Sequence, residues 1–86
     1  MMERVPRLSP LYRLQFEATQ DRWVLLYPEG MVRLNSAASD ILRRVDGAKT
    51  VQALVDELHQ AYPDADLGDD VRQFLREARE RGWLVH

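Results

Sequence analysis

Residues with the types and spacing to do chemistry are few in this chain of 86 residues. The two histidines are His59, inside a helical pattern, and His86, at the last position. A lone histidine on a helix surface beside Glu57 and Tyr62 is an ordinary exposed side chain, and a terminal one is poorly placed for a preorganised site. Asp64, Asp66, Asp69 and Asp70 cluster as a cation site would, yet they lack the D-x-D-x-D-G spacing and the closing glutamate of a calcium loop. They read instead as a solvated loop followed by acids at the positive end of a helix. Ser36, Ser39 and Thr50 fall at helix starts, where capping explains a hydroxyl better than nucleophilic attack does. Cysteine is absent, which removes thiolate metal sites, disulfides and cysteine nucleophiles. With no glycine-rich phosphate loop and no paired acid and base, neither a catalytic residue nor a metal or cofactor site is expected.

One charge pattern stands apart. Arg72, Arg76 and Arg79 recur at i, i+4 and i+7 and form a ridge on one helix. With Glu77 and Glu80 nearby the ridge reads as a solvated face; alternatively it recognises phosphates or carboxylates. The formal net charge of −2 and a pI near 5.6 give no bulk attraction to nucleic acids or anionic membranes. The length sets the expectation of one domain over residues 1–86. The start MMERVPRL lacks the apolar core of a signal peptide, and no apolar run nears the roughly 20 residues of a membrane span. A cytoplasmic protein is expected.

The elements that position these residues follow from periodicity. Residues 1–10 hold two prolines and read as an extended, mobile arm. Tyr12, Leu14, Phe16 and Ala18 alternate with Arg13, Gln15 and Glu17, the pattern of a half-buried strand. The run WVLLY, residues 23–27, is apolar on both faces and suits a central strand. Tyr27-Pro28-Glu29-Gly30 predicts a turn, with Gly30 accommodating positive φ, and residues 31–34 pair back as a third strand. From Asn35 the period becomes helical: Ala37, Ala38, Ile41, Leu42 and Val45 share a face, with Gly47 as a left-handed end. Thr50 caps a second helix bearing Val51, Leu54, Val55, Leu58 and Tyr62, which Pro63 stops. A third helix over 69–81 presents Val71, Phe74, Leu75 and Ala78. Gly82 closes it, Trp83 folds back on its last turn, and Leu84 and Val85 reach the core. The expected fold is α+β and winged-helix-like, a three-stranded antiparallel sheet followed by three helices.

In that fold the third strand is a sheet edge. An open edge is either blunted or used, and this one is blunted only by its shortness, by Arg33 and by the neighbouring Pro28. A guest peptide can add to such an edge as a further strand. The corner at Leu34-Asn35 would then frame a groove between the third strand and the third helix. The second face of WVLLY needs cover from the arm, a modifying enzyme or a second copy, which leaves room for a homodimer, including one made by swapping the hairpin.

The segments "VLLYPEGMVRLN", "SAASDILRRVDGAKTV", "LVDEL" and "DDVRQFLREARERGWL", in this order and spacing, resemble the PqqD family of pyrroloquinoline quinone biosynthesis. The likeness runs from about Pro6 to Val85; Val45, where the family often carries cysteine, is a departure confined to a core face. The resemblance implies a peptide chaperone without a cofactor of its own. It would bind the leader of a ribosomally made precursor peptide and present it to a radical S-adenosylmethionine enzyme, which joins a glutamate to a tyrosine. Carried onto this chain, the peptide-facing residues are Met31, Val32, Arg33 and Leu34, with Arg72, Leu75, Arg76 and Arg79 as the opposite wall and Arg76 as the principal side-chain anchor. Leu34 and Leu75 also qualify as core. The competing reading is a winged-helix nucleic-acid binder that uses helix 69–81 for recognition.

Overall fold

The alternating segment and the apolar run pair as expected. In the computed structural model, which describes residues 4–86, β2 (Arg13–Glu17), β3 (Arg22–Tyr27) and β4 (Gly30–Arg33) form an antiparallel sheet in the order β2-β3-β4. Leu14, Leu25 and Val32 stand in one cross-strand row, and Gln15, Val24 and Arg33 in the next. Three helices follow: α1 (Ser36–Leu42), α2 (Val51–Ala61) and α3 (Gly68–Glu80). The fold is α+β and winged-helix-like.

The period-2 alternation puts Tyr12, Leu14, Trp23, Leu25, Val32 and Leu34 on the face toward the helices. There they meet Ile41 and Leu42 of α1, Leu54 and Leu58 of α2, and Val71, Leu75 and Ala78 of α3. Leu25 and Leu54 are wholly buried, each such leucine contributing about 1.5–3 kcal/mol. On the far face Val24 is equally inaccessible although no helix lies over it. Its register partners Gln15 and Arg33 cross above it. Gln15 donates to Glu17 at 2.8 Å and Arg33 to Gln20 at 3.0 Å, which holds both side chains on the outer face beside it. No second chain is needed to bury Val24.

Three local expectations change. The segment ahead of β2 is extended but not loose. Its β1 (Arg7–Leu8) pairs antiparallel with β5 (Leu84–Val85), a two-stranded ribbon the apolar pattern was too short to signal. Ser9 N–H donates to Trp83 O at 2.8 Å, and Val51 N–H to Arg4 O at 3.1 Å, which ties this segment to the start of α2. Residues 1–3 of the expected arm lie outside the described residues. Second, α1 ends at Leu42 rather than at Gly47. Gly47 does have a positive φ of 79°, but in a separate turn in which Asp46 Oδ1 accepts the N–H groups of Ala48 and Lys49. Third, Gly30 does not adopt a positive φ; proline at the second turn position leads the two-residue Pro28-Glu29 hairpin without it. The acids Asp69 and Asp70 do occupy the first turn of α3, which begins at Gly68 without a side-chain cap.

Other expectations are met. Asn35 caps α1 through Oδ1, which accepts Ala38 N–H at 2.7 Å, and Thr50 caps α2 through Oγ1, which accepts Ala53 N–H at 3.0 Å. At the end of α3, Gly82 has φ 81°; its N–H donates to Arg79 O and that of Trp83 to Ala78 O. Both bonds of a Schellman ending are therefore present, and they bring Trp83 back onto the helix.

Candidate functional site

The site is built outward from the open edge of β4. In an antiparallel pair successive residues alternate between facing the partner strand and facing away. Gly30 closes the hairpin opposite Tyr27, Val32 lies opposite Leu25, and Leu34 N–H donates to Trp23 O at 3.1 Å. These three residues spend their main-chain groups on β3. Met31 and Arg33 therefore direct theirs away from the sheet, with no described strand beyond them. Side chains follow the complementary rule. Val32 and Leu34 point toward the helices; Met31, 43% exposed, and Arg33 point to the outer face.

Beyond the edge lies a groove of about 290 Å³. Val32, Arg33 and Leu34 form one wall and Phe74, Glu77, Ala78 and Arg81 the other. Asn35 and Ala38 mark the corner into α1, and Trp83, set by the glycine ending of α3, closes one side. Phe74 and Ala78 give an apolar floor. Glu77 and Arg81, one helical turn apart, add a carboxylate and a guanidinium, the latter 5.4 Å from the Trp83 ring. The arrangement supplies unpaired donors and acceptors along one wall, apolar surface along the other, and charge of both signs. It suits an extended polypeptide.

The expected residue set divides in two. Met31, Val32, Arg33 and Leu34 lie together on the β4 side, with Leu34 only 3% exposed and so also a core residue. The helix residues do not face them. Arg72, Leu75 and Arg76 line a different cavity, about 260 Å³, with Arg4, Pro6, Val51 and His86; Leu75 is buried and Arg79 is exposed. Arg72 Nη2 donates to Gln52 Oε1 of α2 at 2.6 Å. The reason is the helical period. At 100° per residue, 72, 76 and 79 form one flank of the apolar stripe while 74, 77 and 81 form the other. The sequence marks both flanks, and only the way α3 rests on the sheet decides which one meets β4. Phe74 and Ala78 were legible as apolar positions; Glu77 and Arg81 carried no signal that set them apart from other surface charges.

Among the described residues three ionisations are displaced, all at the surface where α1, α2 and their connection meet. The Asp46 carboxyl is held below its usual range, chiefly by the N–H of Ala48 and then that of Lys49. The Lys49 ammonium is raised, first by its bond to Glu57 at 2.9 Å. The Tyr62 hydroxyl is raised by its hydrogen bond to Asp40 and by the charge of that carboxylate. The hydroxyls of Ser39 and Thr50 are engaged in helix starts, Ser39 Oγ donating to Ser36 O at 3.0 Å. His59 is exposed, and among the described residues no three His, Cys, Asp or Glu side chains are placed to hold a metal ion.

The family model for "Coenzyme PQQ synthesis protein D (PqqD)" matches residues 22–84. This chain belongs to the PqqD family. The match starts at β3 and takes in the whole groove. The chain is 47% identical over 75 residues to the "PqqA binding protein" of Rahnella aquatilis, covering 86% of this chain and 79% of that protein. It is 46% identical over 81 residues to the protein of the same name from Azotobacter vinelandii, covering 93% and 88%. Its fold is similar to the solution NMR structure of the PqqD truncation of Methylobacterium extorquens PqqCD, a functional and stand-alone ribosomally synthesized and post-translational modified (RiPP) recognition element (RRE). That likeness has a TM-score of 0.74 and 33% identity, over 95% of this chain and 89% of that one. The three-stranded sheet and three helices described above thus form a fold shared with that recognition element.

Proposed function

We propose that this PqqD-family protein binds the PqqA precursor peptide of pyrroloquinoline quinone biosynthesis, whose leader adds to the sheet as a fourth strand beside β4. The observation that carries this reading is the open edge of β4 beside a groove whose far wall is Phe74 and Ala78. Main-chain pairing with Met31 and Arg33 supplies affinity that does not depend on peptide side chains, and the groove selects among them. The peptide-facing residues are Met31, Val32, Arg33 and Leu34, with Phe74, Glu77, Ala78 and Arg81 opposite. Arg72, Leu75, Arg76 and Arg79 flank the other side of α3, outside this groove.

The protein acts as an adaptor and not as an enzyme. It presents the bound peptide to the pathway's radical S-adenosylmethionine enzyme in the cytoplasm, a step that rests on family membership. No helix among the described residues is long and apolar enough to cross a membrane. The names of the relatives from Rahnella aquatilis and Azotobacter vinelandii, both PqqA binding proteins, support the choice of peptide.

The test is a titration of isotopically labelled protein with PqqA, following backbone amides. The largest shifts are expected at Met31 and Arg33, with smaller ones at Phe74, Glu77 and Ala78. Shifts confined to Arg72, Arg76 and Val51, with β4 unmoved, would relocate binding to the arginine cavity and end the strand-addition reading.

A further inference from the structure

The groove beside β4 does not stop at the Leu34-Asn35 corner. Asn35, Ala38 and Phe74 also line a second and larger cavity, about 500 Å³, between α1, the end of α2 and the start of α3. Its walls are apolar, with Ala37, Ile41, Leu58, Leu67 and Val71 among them. The charged side chains that line it are Asp40 and Asp70, and no described basic residue does. Asp64, Asp66 and Asp69 neighbour its lining residues Ala65 and Asp70 in the chain. An apolar hollow with an acidic surround selects a guest that is apolar and positively charged.

Chain direction says which part of a guest arrives there. β4 runs from Gly30 at the hairpin to Arg33, and the cavity begins at Asn35, past its C-terminal end. Antiparallel pairing is the slightly more stable geometry and the one this sheet uses throughout. An antiparallel guest has its N-terminal residues beside the C-terminal end of β4. We propose that the cavity between α1 and α3 receives the peptide segment immediately N-terminal to the stretch paired with β4, through a large apolar side chain accompanied by a lysine or arginine. The inference rests on strand addition to β4 as proposed above. It adds a second anchoring site that sets the register of the strand: main-chain pairing alone tolerates slippage by two residues, whereas a side chain seated past the corner does not.

The experiment uses the full chain and the PqqA peptide of Azotobacter vinelandii, in full and shortened one residue at a time from either end. With the full peptide, amides of Ala37, Ile41 and Leu67 are expected to shift together with those of Met31 and Arg33. N-terminal truncation that removes this segment but spares the paired stretch abolishes the former set and keeps the latter, and affinity falls about fivefold to tenfold, the scale of one apolar anchor. Asp70→Lys weakens the full peptide up to about fivefold, as a surface charge pair allows, and leaves the N-terminally shortened one unaffected. Loss of the Ala37, Ile41 and Leu67 shifts on C-terminal truncation, while those of Met31 and Arg33 persist, overturns the polarity and with it the proposal. So does an unmoved cavity while Met31 and Arg33 respond, or equal weakening of both peptides by Asp70→Lys. Shifts at Ala37, Ile41 and Leu67 that grow with protein concentration in the absence of peptide would assign the cavity to a second copy and overturn it likewise. Absence of shifts at Met31 and Arg33 with every peptide is a separate outcome, which sinks strand addition itself.

Discussion

The three-stranded sheet has two outer edges, β2 and β4, and they are not equivalent. By the same alternation, Leu14 and Phe16 of β2 turn their main-chain groups outward just as Met31 and Arg33 of β4 do. What differs is the neighbourhood. The hollow beside Arg13 and Leu14 is lined by Leu8, Pro10 and Leu11 and by the Tyr27-Pro28 turn, with no helix contributing. The β4 edge faces the Phe74-Ala78 flank of α3 across a groove. Free amides attract any extended chain; a facing wall excludes water from the guest and reads its side chains. The β1–β5 ribbon is the third case, in which the chain pairs two of its own strands, each only two residues long and so too short to offer a guest a ladder.

That contrast can be broken experimentally. Deleting residues 1–9 removes the β1–β5 ribbon, and with it the half-buried Leu8 and the buried Ser9. Losing about 1.5–3 kcal/mol of burial corresponds to a fall in Tm of roughly 10 °C in a domain of this size, measurable by thermal unfolding. Peptide affinity below that transition should be unchanged, since the ribbon contributes no strand to the β4 edge. Next in size is Met31→Pro, which removes one outward N–H without touching the β3 ladder. It is expected to weaken the peptide about tenfold in a calorimetric titration. Phe16→Pro makes the same change on β2 and should stay within about twofold; equal losses would show that the edges are interchangeable. Phe74→Ala sharpens the comparison on the helix side, with a loss of about fivefold, while Arg76→Glu on the opposite flank stays within about twofold.

The smallest expected effect concerns Asp46. Its folded pKa lies below the ordinary value, so the stability it contributes is present above that value and is lost as pH falls through the folded pKa. Asp46→Ala should lower Tm slightly at neutral pH, and the difference should vanish in acid below the carboxylate range. A gap that persists there would mean that the turn, and not the charge, is responsible. The carboxylate is distant from the groove and belongs to the α1–α2 connection, so peptide affinity serves as the unaffected control.

Period and punctuation made most of this fold legible in the chain. The alternation of residues 12–18 placed β2, Asn35 and Thr50 placed two helix starts, and Gly82 placed the end of α3. Each works because one residue's dihedral preference or one short side-chain bond acts locally. The resemblance to PqqD was likewise carried by short segments in order. Hidden from that reading were Arg7-Leu8 against Leu84-Val85, a pairing of residues almost 80 positions apart with two per strand, too short to show a period. Also hidden was the true end of α1, where Arg44 N–H turns to Ile41 O and Val45 N–H to Leu42 O, a tightened turn that still packs Val45 against the core.

The sequence by itself determined that α3 has an apolar stripe with a charged flank on each side, and that the strand before Asn35 ends a sheet. Only the tertiary structure decided that the flank of Phe74, Glu77 and Arg81 closes the groove while that of Arg72, Arg76 and Arg79 turns toward the opposite side. A helical stripe fixes what is buried, but the rotation and position of a helix on its sheet are set by the summed fit of distant side chains, Leu25, Leu54 and Leu84 among them, and no local pattern encodes that sum.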